Sequence, residues 1–229
     1  MPLLPHDDGP VHERHLIVTR NARYAVLGET RARPAECWFV LHGYGQLAPA
    51  FLRAFRPLDD GTRRIYAPEA LNRYYLEGGQ HGPDSRVGAT WMTREDRLTE
   101  ITDYVRYLDT LYRHVLAGLD RATLRVLVLG FSQGAATAAR WTALGEARVD
   151  DLVLWGSGVP PDLPLAEAAK AWSGARVSLV YGRDDPHFDE PHALAEAERL
   201  RAHGVAPSLV GFDGAHALDA ATLHRLSGT

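Results

Sequence analysis

The sequence contains one cysteine, Cys37. No disulfide can form within the chain, so neither a stapled framework nor an oxidising compartment is implied. Cys37 lies in the apolar run Cys-Trp-Phe-Val-Leu and reads as a buried core thiol. No apolar stretch approaches the roughly 18 residues that span a bilayer. Met1 to Asp8 lack a basic start followed by a long apolar segment, which argues against a secretory signal. Excess positive charge is missing too. The net charge is -4, with both signs interspersed. That argues against a nucleic-acid partner, which needs a basic stripe, and against a polybasic membrane anchor. There is no internal repeat and no low-complexity segment. A soluble, cytoplasmic protein is expected.

What is present points to one large α/β domain spanning 1–229. Hydrophobic residues make up 45% of the 229 positions, enough for a sizeable core. Near-continuous apolar runs occur at Glu36–Leu41, Arg63–Tyr66, Arg125–Leu129, Leu152–Trp155, Val177–Tyr181 and Ser208–Phe212. Such runs are what strands look like when helices cover both faces of a parallel sheet. His15–Val18 and Arg23–Leu27 alternate, and are expected to form an antiparallel N-terminal hairpin. Helical periodicity marks Asp96–Leu116, Gln133–Leu144, Glu190–Ala202 and Asp219–Leu226. Strand–helix alternation predicts a doubly wound, mostly parallel sheet. In such sheets ligands bind beyond the carboxyl ends of the strands. The stretch Pro68–Met92 is glycine-rich and reads as one long irregular loop, a length that usually signals function.

The strand ends carry the chemistry. Arg125–Leu129 runs into Gly130-Phe131-Ser132-Gln133-Gly134 and then an alanine-rich helix. This is the Gly-x-Ser-x-Gly pattern in its strand–turn–helix setting, which thrusts the serine out above the sheet. Leu41-His42-Gly43-Tyr44-Gly45 follows another strand. Backbone N–H groups of Tyr44 and Gln133 are the expected oxyanion donors. His42 reads as a loop-positioning residue.

A serine hydroxyl needs a base. In the fold that uses this elbow, the order along the chain is serine, acid, histidine. His187, His192, His203, His216 and His224 follow Ser132. His192 and His203 fall on a helix and His224 on the last one. His216 falls in the loop after the last strand, where the base is expected. The orienting acid should follow the strand before it, where Asp184 and Asp185 both stand. Asp185 precedes Pro186, which favours extended backbone, and is preferred over Asp184. The group Asp184, Asp185, His187, Asp189 and His192 has no metal-ligand spacing and reads as a polar loop entering a helix. No metal and no organic cofactor is expected.

These stretches resemble a known group. Leu-His-Gly-Tyr-Gly, Gly-Phe-Ser-Gln-Gly, Gly-Arg-Asp-Asp-Pro and Gly-Ala-His are similar to the four signatures of the phospholipase/carboxylesterase family of α/β hydrolases, which includes bacterial carboxylesterases and acyl-protein thioesterases. The resemblance runs from about Val40 to His216. It implies the α/β-hydrolase fold, Ser132, Asp185 and His216 as the triad, and Tyr44 and Gln133 as oxyanion donors. Family members often carry Gly-Asp where this chain has Gly45-Gln46. The segments Leu71 to Leu76 and Trp91 to Asp96 also differ from the usual acyl-pocket sequence of the thioesterases.

The expected function is a serine esterase acting on small-molecule carboxylic esters. With no large lid, Tyr74, Tyr75, Trp91 and Met92 are the substrate-pocket candidates, roofing an open pocket for short to medium acyl chains. A thioesterase or lysophospholipase would use the same triad. A non-catalytic binding protein on the same scaffold is the rival from another class. The sequence leaves homo-oligomer formation open.

Overall fold

The structure is a computed structural model that describes residues 12–28 and 33–228. The N-terminal stretch Met1 to Asp8 lies outside the described residues. Seven strands form one sheet in the order β1-β3-β2-β6-β7-β8-β9. They are β1 (Tyr24–Leu27), β2 (Glu36–Leu41), β3 (Arg63–Pro68), β6 (Arg125–Phe131), β7 (Asp151–Trp155), β8 (Arg176–Gly182) and β9 (Ser208–Phe212). All neighbouring pairs are parallel except β1 with β3. Six of these strands fall where the apolar runs lie, because a strand covered on both faces has no polar side to show.

The side-chain period of two divides the core into two layers. Cys37, Phe39, Leu41, Val126, Val128, Leu152, Leu154, Val177 and Leu179 point to one face. Helices α2 (Arg97–Leu116), α3 (Gln133–Leu144), α4 (Leu165–Ala171) and α5 (Glu190–Arg201) pack there. Trp38, Val40, Ile65, Leu127, Leu129, Val153, Trp155 and Val180 point to the other. That face is covered by α1 (Ala48–Leu52), the 3-10 turn Arg53–Leu58 and α6 (Ala220–Ser227). Burial pushes the Cys37 thiol up to about 11, so it is a core residue and not a nucleophile.

Two expectations need correction. The N-terminal hairpin does not form. β1 pairs antiparallel with β3, and His15–Val18 is not a strand. Leu16, Ile17 and Val18 are exposed, so alternation without a buried face did not make a strand. The Pro68–Met92 stretch is also not irregular. It contains a second, two-stranded sheet of β4 (Asn72–Tyr75) and β5 (Val87–Thr90). Each strand has four residues, below what a periodicity window resolves. Among the described residues no helix is long and apolar enough to cross a membrane.

Candidate active site at the strand carboxyl ends

Ser132 stands at the turn between β6 and α3 with φ 56° and ψ -119°, a left-sided conformation that a non-glycine residue adopts only under constraint. The constraint is the backbone around it. Ser132 N–H donates to the Trp155 carbonyl at 2.8 Å, tying the turn to the end of β7. A Cβ at Gly130 would lie 2.1 Å from the Gly134 carbonyl oxygen, and one at Gly134 would lie 2.2 Å from that of Leu41. Glycine at both positions is what lets strand and helix close to this distance. Gln133 is the first helical residue, where N–H groups have no carbonyl of their own helix to bond.

The imidazole of His216 lies in the loop after β9. To approach the end of β6 it must reach over β8 and β7, since the sheet order is β6-β7-β8-β9. Glycines open that path. A Cβ at Gly182 would lie 2.3 Å from the Gly214 carbonyl oxygen, and one at Gly156 would lie 2.9 Å from His216 Cε1. Asp184 N–H donates to the Gly214 carbonyl at 3.0 Å and Arg183 N–H to that of Phe212 at 2.9 Å, lacing the two loops together. The Trp155 indole donates to the Ala217 carbonyl at 2.9 Å. Phe131, the residue before Ser132, packs its ring 4.9 Å from the imidazole.

Asp185 and His216 form a pair, with Oδ2 2.7 Å from Nδ1. A carboxylate only accepts, so Nδ1 carries the hydrogen, and the tautomer of the neutral ring that this pairing selects has its lone pair on Nε2. The other oxygen, Oδ1, accepts from the N–H groups of His187 at 2.8 Å and Phe188 at 3.2 Å. The Asp185 side chain is buried, whereas Asp184 is exposed and does not meet the imidazole. His192, His203 and His224 are exposed on helical segments or their ends. His187, which the sequence reading left without a role, stands edge-on to His216 with ring centroids 5.0 Å apart. No group of three His, Cys, Asp or Glu side chains gathers in metal-binding geometry among the described residues.

The glycine loop after β2 lies against the elbow. A Cβ at Gly43 would be 3.3 Å from Ser132 Cβ. Gly43 N–H is occupied by the Gln46 side chain at 2.8 Å, and Gly45 N–H by the Ala89 carbonyl at 2.9 Å. Tyr44 N–H makes no hydrogen bond among the described residues. Gln46 thus fixes the loop through Gly43, at the position where the resembling family often has aspartate. His42 is fully buried. Its Nδ1–H donates to the Gly43 carbonyl at 2.8 Å and its Nε2 accepts from Ala70 N–H at 3.1 Å. Burial holds its pKa below the ordinary value. Next to it, Glu69 accepts from Arg23 and Arg73, each at 2.6 Å, and from Ala48 N–H at 3.2 Å. Burial raises the Glu69 pKa, but these donors more than offset it and hold the carboxyl below its usual range.

The pocket candidates separate. Tyr74 on β4 and Leu76, just past its end, both approach the glycine loop, with Tyr74 Oη and Leu76 Cδ2 each 3.3 Å from where a Gly45 Cβ would stand. The exposed Tyr44 ring lies 5.3 Å from that of Tyr74. Tyr75 is on the opposite face, stacked on His81 at 3.8 Å. Trp91 is only 2% exposed and belongs to the core, so it lies beneath the glycine loop rather than above it. Met92 is half-buried against the same core. A cavity of about 1170 Å³ between the His15–Tyr24 segment and α2 includes none of Ser132, Asp185, His216 or Tyr44.

No protein-family model matches the sequence, and no curated protein does. Solved structures do match. A carboxylesterase from Mesorhizobium loti superposes with a TM-score of 0.69 at 21% identity, covering 91% of this chain and 95% of that one. An acyl-protein thioesterase 2 from Zea mays gives 0.65 at 16%, covering 91% and 97%. A phospholipase/carboxylesterase from Dyadobacter fermentans gives 0.62 at 18%, covering 93% and 98%. The chain has the α/β-hydrolase fold.

Proposed function

We propose that this chain is a serine hydrolase that cleaves carboxylic esters of short to medium acyl chains through an acyl-enzyme. The observation that carries the reading is the buried Asp185 carboxylate holding His216 Nδ1 at 2.7 Å, with the His216 ring 4.9 Å from that of Phe131, the residue before a serine kept at φ 56°. Structures solved as a carboxylesterase and an acyl-protein thioesterase share the fold along nearly their whole length, which supports it.

Ser132 Oγ attacks the ester carbonyl while His216 Nε2 takes its proton. Asp185 fixes the tautomer that leaves Nε2 free and stabilises the imidazolium. N–H groups of Tyr44 and Gln133 receive the oxyanion; loss of a single oxyanion donor typically costs about 2.7–4 kcal/mol. His216 then protonates the leaving alkoxide. Water, deprotonated by the same imidazole, attacks the acyl carbonyl, and His216 returns that proton to Ser132 Oγ as the Ser132–acyl bond breaks and the acid leaves. The wall formed by Tyr44, Tyr74 and Leu76 is partly solvent-exposed and suits short to medium acyl groups.

The same machinery would cleave a thioester, and the likeness to the maize thioesterase favours that as the second reading. Labelling with a fluorophosphonate, followed by turnover of matched p-nitrophenyl esters and acyl thioesters, tests both. Labelling at Ser132 with ester turnover is expected. Folded protein that neither labels nor turns over either substrate would instead be a binding protein on this scaffold.

A further inference from the structure

We propose that Trp91 and the side chain of Gln133 form one brace that sets the spacing between the two oxyanion donors. The inference rests on the serine-esterase reading above. The two N–H groups, of Tyr44 and Gln133, come from distant parts of the chain and share no direct hydrogen bond among the described residues. Their separation must nevertheless hold to about 0.5 Å for both to meet one oxygen.

The end of β5 lies between them and is bonded to both. On one side, Gln133 uses its whole side-chain amide. Its Oε1 accepts from Trp91 N–H at 3.1 Å, and its Nε2 donates to Thr90 Oγ1 at 2.9 Å and to the Met92 carbonyl at 2.8 Å. On the other side, the Trp91 indole N–H donates to the His42 carbonyl at 2.8 Å. His42 is two residues before Tyr44, and its imidazole holds the next carbonyl, of Gly43, at 2.8 Å. Ala89 adds a bond to Gly45 N–H at 2.9 Å. Gly88 is glycine because a Cβ there would stand 2.5 Å from the Gly45 carbonyl oxygen.

Trp91 is locked in turn. Its ring lies 5.2 Å from that of His42 and meets Tyr104 edge-on at 6.2 Å. With Trp91 2% and Thr90 4% exposed, water cannot readily replace a lost partner. Neither side chain is assigned contact with the reacting atoms, so both are positioning residues. A positioning brace acts on the transition state, where the oxyanion exists, more than on the bound ester.

The test compares wild type with Gln133→Met, Trp91→Phe and the double variant on p-nitrophenyl acetate. Methionine keeps the length of glutamine without its amide, and phenylalanine keeps the ring without its N–H. Each single variant should lose about 10-fold in kcat with KM within about two-fold, and the double should lose no more than about 20-fold, because one unit is broken either way. A rise in KM with kcat held, unchanged kcat, or single losses that multiply to about 100-fold in the double overturns the brace. Thermal midpoints confirm folding. If Trp91→Phe does not fold, Thr90→Val decides: it removes one anchor of the Gln133 amide, and an unchanged kcat overturns the proposal. Ser132→Ala separates the two readings. A dead Ser132→Ala beside unimpaired brace variants overturns the brace alone, while an active Ser132→Ala overturns the esterase reading and the brace with it.

Discussion

The ring of Phe131 packs 4.9 Å from the imidazole of His216, which puts the residue before the proposed nucleophile in contact with the proposed base. That contact depends on a glycine from a third strand end. Gly156 follows β7, has φ +65°, and has His216 Cε1 2.9 Å from the position of its missing Cβ. Gly156→Ala would strain the backbone and displace the imidazole. A shift of about 1 Å in a reacting group costs on the order of 100-fold. The expected result is a loss of about that size in kcat for an activated ester, with the fold retained by circular dichroism.

Asp185 and Asp184 are adjacent in sequence but differ in surroundings. Asp185 is buried and receives His216 Nδ1–H, while Asp184 is exposed and contributes only its backbone N–H to the Gly214 carbonyl. Asp185→Asn would offer an NH2 group to the ring and turn the tautomer over, which in triads of this kind lowers kcat by about 10⁴-fold. Asp184→Asn should stay within about two-fold of wild type. Steady-state kinetics of the two variants side by side checks the assignment, and a reversed order would transfer the role to Asp184.

The sequence made the fold legible where burial on both faces forced long apolar runs. β2 was read to the residue, and β6 to within two residues of its end. The same runs single out as candidates Ser132, which follows β6 directly, and His216, in the loop that starts after Phe212. Several short elements were not legible. α1, α4 and the β4–β5 hairpin have too few residues for a period to emerge, and their pairing depends on neighbours elsewhere in the chain. Alternation at His15–Val18 misled because no partner buries that face. The place of Trp91 in a glycine-rich stretch predicts a pocket wall. Only tertiary structure shows that its indole is spent on the His42 carbonyl. No sequence signal distinguished the Gln133 side chain from an ordinary helix start.

His42 gives the protein an acid sensitivity of definite sign. Burial lowers its pKa in the folded state, so as pH falls past about 6.5 the unfolded chain takes up a proton there that the folded chain refuses. The unfolded state then binds more protons, and stability rises with pH across the window between the depressed folded value and about 6.5. Below the folded value no further loss arises from this group. His42→Phe removes the titration. It also removes the bonds to Gly43 and Ala70, so its absolute stability should be lower. The informative quantity is the slope of unfolding free energy against pH between 7 and 5, from urea melts. That slope should be shallower in the variant by up to about 1.4 kcal/mol per pH unit.

Acyl-chain preference should respond to the two faces of β4 differently. Tyr74 and Leu76 face the Gly45 loop, with Tyr44 alongside, whereas Tyr75 stacks on His81 across the strand. Tyr74→Ala opens space beside the glycine loop. A methylene accommodated in an apolar pocket changes kcat/KM by about 10-fold or more. The ratio of kcat/KM for p-nitrophenyl octanoate to that for the butyrate should therefore rise by at least about 10-fold in Tyr74→Ala. Tyr75→Ala should move the same ratio much less. Equal shifts in both variants would mean that the acyl chain does not run along the Tyr74 face, and the short-to-medium preference would then need another wall.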